Sequence, residues 1–176
     1  RKLDFGEVLD GLALQLPLYL AAAAKAGNGR AGLYYMTLSA PLPTESADMA
    51  AAATEAFRLK GLTLQDPRVV LANDFSLASG KGLLEGVSPD GESFKGDLCT
   101  AEQMNVLIER SLDIAREKLQ YMRAGRIEAR PLEKVCDYCD YRSICRFDTF
   151  LPGCRVRRKR RASQADFFGA EGGDGA

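Results

Sequence analysis

The sequence predicts an α/β fold in which helices pack on a small sheet. Apolar residues recur with helical spacing in two long segments, one from Phe5 to Lys25 and one after Thr100. Between them, the short segment from Ala31 to Ser39 is rich in residues that favour strands. With 176 residues, 46% of them hydrophobic and 27% charged, the chain is long enough for about one domain with a buried core.

Capping and turn residues bound the first elements. Phe5 to Lys25 is predicted to be one helix that ends at Gly27-Asn28-Gly29. We expect Pro17 to distort it, because proline removes an amide donor and crowds the preceding turn. The alanine-rich segment from Glu45 to Lys60 is predicted to be a helix that stops at Gly61.

The second half of the chain begins with weak secondary-structure signals and continues with a strong helix signal. Pro89-Asp90-Gly91 indicates a hairpin turn in a region that otherwise shows only short apolar runs. Thr100-x-x-Gln103 is a capping-box pattern and predicts the start of a long helix, which Gly125 ends. The buried stripe of this helix is predicted to be Met104, Leu107, Ile108, Leu112, Ala115, Leu119 and Met122.

Composition narrows the chemistry that the chain supports. Lys plus Arg and Asp plus Glu are balanced at 24 each, so net charge gives no reason to expect nucleic acid or an anionic membrane. The chain has no histidine, which excludes Ser-His and Cys-His nucleophile pairs, histidine bases and histidine-containing zinc sites. It shows no secretory signal and no apolar stretch that spans a bilayer, so we expect a cytoplasmic protein without membrane contact.

Three cysteines near the end of the chain carry the strongest chemical signal. Cys136, Cys139 and Cys145 follow a C-x2-C-x5-C pattern, which lets several thiolates converge on one soft metal ion or cluster. An iron–sulfur cluster, a zinc site and three unrelated buried thiols all remain open interpretations. Either metal centre normally has four ligands, so the missing one is Cys154, Cys99 or a cysteine outside this sequence.

Two further sets of residues are functional candidates. Gln15 and Tyr19 are four residues apart and share one helix face, as a functional pair or as a half-buried polar pair. A basic run near the end of the chain either contacts a phosphate backbone or is a solvated terminus. Its candidates for DNA contact are Arg155, Arg157 and Arg158. The composition of residues 155–176, basic and then rich in Gly, Ala and Asp, predicts a disordered tail.

Motifs at both ends of the chain resemble one family. Gly11-Leu-Ala-Leu-Gln15-Leu-Pro-Leu-Tyr19 resembles the Gln-x-x-x-Tyr helix motif of RecB-like nucleases in the PD-(D/E)XK superfamily. Lys2-Leu3-Asp4-Phe5 is similar to the segment that follows the family's Asp-Tyr-Lys-Ser-Gly strand. The cysteine cluster with Arg146-Phe147-Asp148 is similar to the tail of AddB-type subunits. These are the B subunits of the bacterial ATP-dependent helicase/deoxyribonuclease that processes double-strand breaks.

The resemblance implies the domain organisation and one cofactor. Residues 1–131 would be the carboxyl-terminal part of a PD-(D/E)XK, restriction-endonuclease-like nuclease domain, and residues 132–154 an iron–sulfur cysteine segment. A 4Fe-4S cluster would take three ligands from the cysteine segment and a fourth from a cysteine upstream of Arg1. The three ligands are Cys136, Cys139 and Cys145, and Cys154 is not counted among them.

The resemblance also implies an activity and partners. The full protein would be a Mg2+-dependent DNA exonuclease in the bacterial cytoplasm, acting in recombinational repair. Its catalytic acids and lysine would precede this sequence, so the fragment alone would be inactive. Gln15 and Tyr19 would then be auxiliary residues that orient DNA or a catalytic side chain. The partners would be DNA, as double-strand ends and single strands, and the helicase–nuclease A subunit in a heterodimer.

Two other interpretations of the same motifs compete with this one. CRISPR-associated RecB-like exonucleases share a similar cysteine pattern. A non-catalytic DNA-binding or scaffolding module, stapled by iron–sulfur or zinc, would also explain the cysteine cluster. An Asp some tens of residues upstream of Arg1, followed by Asp-Tyr-Lys, would favour the enzyme.

Overall fold

The computed structural model describes residues 2–38, 49–79 and 82–169, which form two compact units. The first unit contains the described parts of residues 1–4 and 14–110, and the second contains those of residues 5–13 and 111–176. The α-helices are α1 (Phe5–Leu9), α2 (Gln15–Lys25), α3 (Met49–Ala56), α4 (Pro67–Asn73), α5 (Ala101–Arg123), α6 (Arg142–Cys145) and α7 (Gln164–Gly169). The strands are β1 (Gly32–Tyr35), β2 (Leu59–Leu64), β3 (Leu84–Glu85), β4 (Val87–Asp90), β5 (Ser93–Gly96) and β6 (Leu98–Cys99). Short 3-10 helices cover Phe75–Ser79 and Val135–Tyr138.

The first unit is built on a mixed sheet with β2 at its centre. β1 pairs with β2 in antiparallel orientation, while β3 and β6 pair with opposite ends of β2 in parallel. α2 contacts β1 and α4 contacts β2. A buried cluster formed by Val70, Leu77, Leu84, Val87 and Leu98 fills the interior beside the sheet. The predicted α/β fold is therefore confirmed, and of the helix predicted around Leu9–Ala24 the part from Gln15 onwards packs on the sheet.

The predicted helix from Phe5 to Lys25 is wrong as a single element. α1 ends at Leu9, because Gly11 adopts a left-handed φ of 77° and the amides of Leu12 and Ala13 both donate to the carbonyl of Glu7. α2 begins only at Gln15, which places Pro17 in its first turn. The first amides of a helix have no intrahelical acceptor, so Pro17 removes no hydrogen bond at this position. The reason for expecting a distortion at Pro17 therefore does not apply.

The predicted helix that stops at Gly61 is also wrong at its end. α3 ends at Ala56, and Gly61 lies inside β2 opposite Tyr34. A Cβ at Gly61 would stand 1.9 Å from the carbonyl oxygen of Leu33, so the glycine permits a close approach of β1 rather than ending a helix. The start predicted at Glu45 lies outside the described residues.

The turn and capping predictions in the second half of the chain are confirmed. β4 and β5 form a hairpin that pairs Asp90 with Ser93, and Gly91 in its turn has a φ of 63°. At the start of α5, the Gln103 amide donates to the Thr100 hydroxyl (3.2 Å) and the Thr100 amide donates to the Gln103 side chain (3.0 Å). Gly125, with a φ of 72°, follows the helix end at Arg123.

The structure differs from the predicted disordered tail over residues 155–169. α7 lies in this range, and Phe167 is fully buried with its ring 5.1 Å from that of Phe5 and 5.2 Å from that of Phe168. The segment before α7 is held to α1 by an ion pair between Lys159 and Glu7 (3.0 Å). Composition alone predicts disorder because these partners are remote in sequence. Residues 170–176 lie outside the described residues.

Candidate functional site

The predicted pair Gln15 and Tyr19 lies on the exposed face of α2. The Gln15 side-chain amide donates to the Tyr19 hydroxyl oxygen at 3.1 Å, and Tyr19 is 62% exposed. The opposite face of the helix is buried through Pro17 and Leu20. The structure therefore brings the two residues together, and the interpretation as a half-buried polar pair is wrong.

This pair offers neutral hydrogen-bonding groups to a partner outside the helix. The hydrogen bond from Gln15 leaves the Gln15 carbonyl oxygen as an acceptor and the Tyr19 hydroxyl proton as a donor. Such groups orient a phosphate or a water molecule but do not bind a divalent cation strongly, since Mg2+ prefers carboxylates and phosphates. The pair is suited to positioning.

The buried carboxylate of Asp74 serves the fold. It accepts hydrogen bonds from the Ser76 hydroxyl and from the amides of Leu83 and Leu84. Burial alone raises the pKa of the Asp74 carboxyl, but the hydrogen bonds from Ser76, Leu84 and Leu83 outweigh it and leave the pKa below its ordinary value. Asp74 thus ties Leu83 and Leu84 at the start of β3 to the end of α4.

An ion pair between Lys2 and Asp97 has no counterpart among the sequence predictions. Lys2 Nζ lies 2.6 Å from Asp97 Oδ2, next to Gly86, where a Cβ would stand only 1.9 Å from the same oxygen. The contact joins the start of the first unit to the strand connection before β6. No local sequence signal links two residues so far apart in the chain.

The predicted cluster ligands lie on one short segment of the second unit. Cys136 is in the 3-10 helix, Cys139 directly follows it, and Cys145 is the last residue of α6. Cys139 and Cys145 are exposed, which contradicts the interpretation as buried core thiols, and Cys136 and Cys154 are half-buried. All five cysteines are described and none forms a disulfide. Burial raises the pKa of the remaining thiol, Cys99, to about 12, so it is a poor source of the thiolate that a metal needs.

The donor types in the cysteine segment fit a soft metal centre, but their placement does not complete one. Within the described ranges, no group of three or more His, Cys, Asp or Glu side chains is close enough to hold a metal ion. Three thiols are one short of the four that a zinc ion or 4Fe-4S cluster usually takes.

Among all the residues that the structure describes, no helix is long and apolar enough to cross a membrane.

Two of the three predicted DNA-contacting arginines are occupied by contacts within the second unit. Arg157 pairs with Leu132 through the backbone, and its Nε donates to the Arg130 carbonyl at 2.9 Å. Arg158 Nε lies 3.1 Å from a carboxylate oxygen of Glu133. Arg155 is exposed. The basic run is thus largely a structural segment.

Comparison with known proteins gives the chain a family context. Residues 1–146 match the PD-(D/E)XK nuclease superfamily. The chain is also similar to proteins named as the B subunit of an ATP-dependent helicase/deoxyribonuclease. The Moorella thermoacetica protein is 34% identical over 174 residues, covering 89% of this chain and 15% of its own length. The Desulforudis audaxviator protein is 31% identical over 186 residues, covering 96% of this chain and 16% of its own length. The Symbiobacterium thermophilum protein is 27% identical over 198 residues, covering 99% of this chain and 17% of its own length. The chain therefore spans between 15% and 17% of the length of these relatives.

Proposed function

Because this chain belongs to the PD-(D/E)XK nuclease superfamily, we propose that it is part of the DNA-cleaving domain of a bacterial helicase–nuclease, within its B-type polypeptide. The observation that carries the proposal is α2, which presents Gln15 and Tyr19 hydrogen-bonded to each other on an exposed face. The same helix is joined to the sheet through β1, so the pair has a rigid support. The names of the similar proteins point to DNA as the substrate and to a helicase–nuclease complex as the setting.

In the proposed reaction, Gln15 and Tyr19 hold the scissile region of the DNA in place. The Tyr19 hydroxyl donates to a phosphate oxygen or to an attacking water, and the Gln15 carbonyl accepts a hydrogen bond from that water. Mg2+, held by carboxylates upstream of this sequence, would supply Lewis-acid polarisation of the phosphate and would activate a water. The reaction class is phosphodiester hydrolysis from a DNA end, an exonuclease activity in double-strand break repair.

We also propose that the cysteine segment takes part in a 4Fe-4S cluster in the full-length protein. Cys136, Cys139 and Cys145 would supply three thiolates, and the exposure of Cys139 and Cys145 leaves room for a fourth ligand from elsewhere in the polypeptide. Such a cluster cross-links distant parts of the chain and stabilises the domain chiefly by restricting its unfolded state. Replacing any of the three by alanine should remove iron and the absorption near ~400 nm, while Cys154→Ala should retain both. Stoichiometric zinc without iron would contradict the assignment.

The nuclease proposal is tested by Gln15→Ala, Tyr19→Phe and the double variant in the full-length protein with its helicase partner. Each single change should lower the rate of DNA degradation about tenfold to 100-fold, because a misplaced reacting group loses that order of rate. The double variant should lose little more than either single one, since the two side chains act through one hydrogen bond.

The matched control is Gln120→Ala, which removes an exposed carboxamide from another helix of the chain. It should leave the cleavage rate unchanged. The unfolding temperature should be the same in all of these variants, because none of the replaced side chains is buried. The rate of ATP hydrolysis should also be unchanged. Wild-type cleavage rates in both the Gln15 and Tyr19 variants would refute the positioning role.

A further inference from the structure

The second unit contains a pocket of about 460 Å3 that the proposed cleavage reaction does not use. It lies between the Asp10–Leu12 turn after α1, the last turns of α5 and the loop that follows α5. A pocket of this volume is at the lower end of the range for small-molecule sites and admits one nucleotide. Its basic lining residues are Lys118, Arg126, Arg130 and Arg157.

The charges in the pocket leave a cationic surplus. The acidic lining residues are Asp10, Glu117 and Glu128. Two of these carboxylates are already neutralised. Asp10 accepts a hydrogen bond from the backbone amide of Arg160 at 2.9 Å and lies 3.7 Å from the Arg160 guanidinium. Glu117 forms an ion pair with Lys118 at 2.9 Å. Among the described residues, the guanidiniums of Arg126 and Arg130 have no carboxylate partner. These two cations therefore remain available to an anionic ligand.

An aromatic ring lies beside the available cations. The Arg126 guanidinium stands over the Tyr121 ring, 5.1 Å from its centroid, and both residues line the pocket. Tyr121 is half-buried, so its ring is fixed on α5 while part of it remains open to a ligand. A ring and a guanidinium plane together form the surface on which unpaired nucleobases stack in single-strand binding proteins.

We propose that this pocket binds one nucleotide of single-stranded DNA, with the phosphate on Arg126 and Arg130 and the base against the Tyr121–Arg126 stack. The proposal rests on the proposed function, since it assigns a second DNA contact to the same nuclease domain. A duplex does not fit this chemistry, because its bases are stacked on each other and unavailable to the ring. An acidic peptide would use only the cations of the pocket, because it has no planar base to place against the Tyr121–Arg126 stack.

The test measures binding of a 5′-fluorescein-labelled single-stranded DNA, about 12 nucleotides long, to the full-length protein without Mg2+. Fluorescence anisotropy is recorded between about 0.05 and 0.3 M salt. Each phosphate contact on a single strand adds about 0.7 to the slope of log K against log salt. Arg126→Gln with Arg130→Gln removes the one phosphate contact of the pocket, so it should reduce the slope by about 0.7 and the affinity at 0.1 M salt by about fivefold. Tyr121→Leu should weaken binding about tenfold with an unchanged slope, because stacking releases no counterions.

The charge-matched control is Arg116→Gln with Arg123→Gln, two exposed arginines of α5 outside the pocket lining. It should lower the affinity and the slope far less than the pocket double variant. Equal losses in the two double variants, or displacement of the DNA by an oligo-aspartate of equal charge, would overturn the proposal. Failure of the proposed function can be distinguished from failure of the pocket proposal. If the nuclease function is wrong, the wild-type protein shows no Mg2+-dependent cleavage, whatever DNA binding the anisotropy measures.

Discussion

Replacing Phe167 by alanine should release α7 from the second unit. The side chain is fully buried, and its ring lies 5.1 Å from Phe5 and 5.2 Å from Phe168. A buried Phe→Ala change costs about 3–5 kcal/mol, which includes the cavity that remains. Since 1.4 kcal/mol is a factor of ten, a loss of about 3 kcal/mol in the opening free energy speeds amide exchange of this helix by about 100-fold.

Hydrogen exchange followed by mass spectrometry on the full-length protein measures this effect. The reporter is the Phe167 amide, which donates to the Ser163 carbonyl at 3.0 Å and exchanges only when α7 opens. The matched control is Phe150→Ala, since Phe150 is 94% exposed and its loss should change stability by no more than about 0.5 kcal/mol. Wild-type exchange of α7 in the Phe167 variant would refute the docking of this segment.

Three further changes test the first unit. Gly61→Ala should destabilise the β1–β2 pairing by about 1–3 kcal/mol, because the added Cβ would meet the Leu33 carbonyl. The control Gly29→Ala should cause no such loss, because the space around Gly29 is open. Amide exchange in β1 and β2 measures the effect of both variants. Thr100→Ala should cost about 1 kcal/mol through loss of the α5 cap, and an unchanged urea midpoint would contradict this. The lowered pKa of Asp74 means that its carboxylate contributes stability above its unfolded pKa, near 3.8, and that this contribution is lost as pH falls through the folded value. Asp74→Asn should therefore be less stable than wild type at pH 6, and urea denaturation should show the difference shrinking below about pH 4.

Local signals predicted the parts of the fold whose partners are close in sequence. The Thr100–Gln103 capping box, the turn at Gly91 and the shared face of Gln15 and Tyr19 each depend on residues within four positions. In these cases the chemistry of a few side chains decides the backbone conformation, so a short pattern is enough.

The parts that the sequence could not reveal depend on long-range contacts. The pattern around Gly61 predicts a helix stop, because nothing in it shows that another strand approaches this Cα. The order of residues 155–169 depends on contacts such as the Arg160 amide with Asp10, which are 150 positions apart. The pocket beside Tyr121 escapes sequence analysis for the same reason, since its basic residues come from α5, the following loop and the basic run.

The most direct test of the central claim is degradation of DNA by the full-length protein together with the helicase subunit proposed as its partner. An end-labelled linear duplex and a covalently closed circle are each incubated with ATP, in Mg2+ or in excess EDTA. The account predicts degradation of the linear duplex only in Mg2+, an intact circle, and slower degradation when Gln15 is replaced by alanine. A linear duplex that is bound but stays intact in Mg2+ would contradict the account and identify a non-catalytic DNA-binding module.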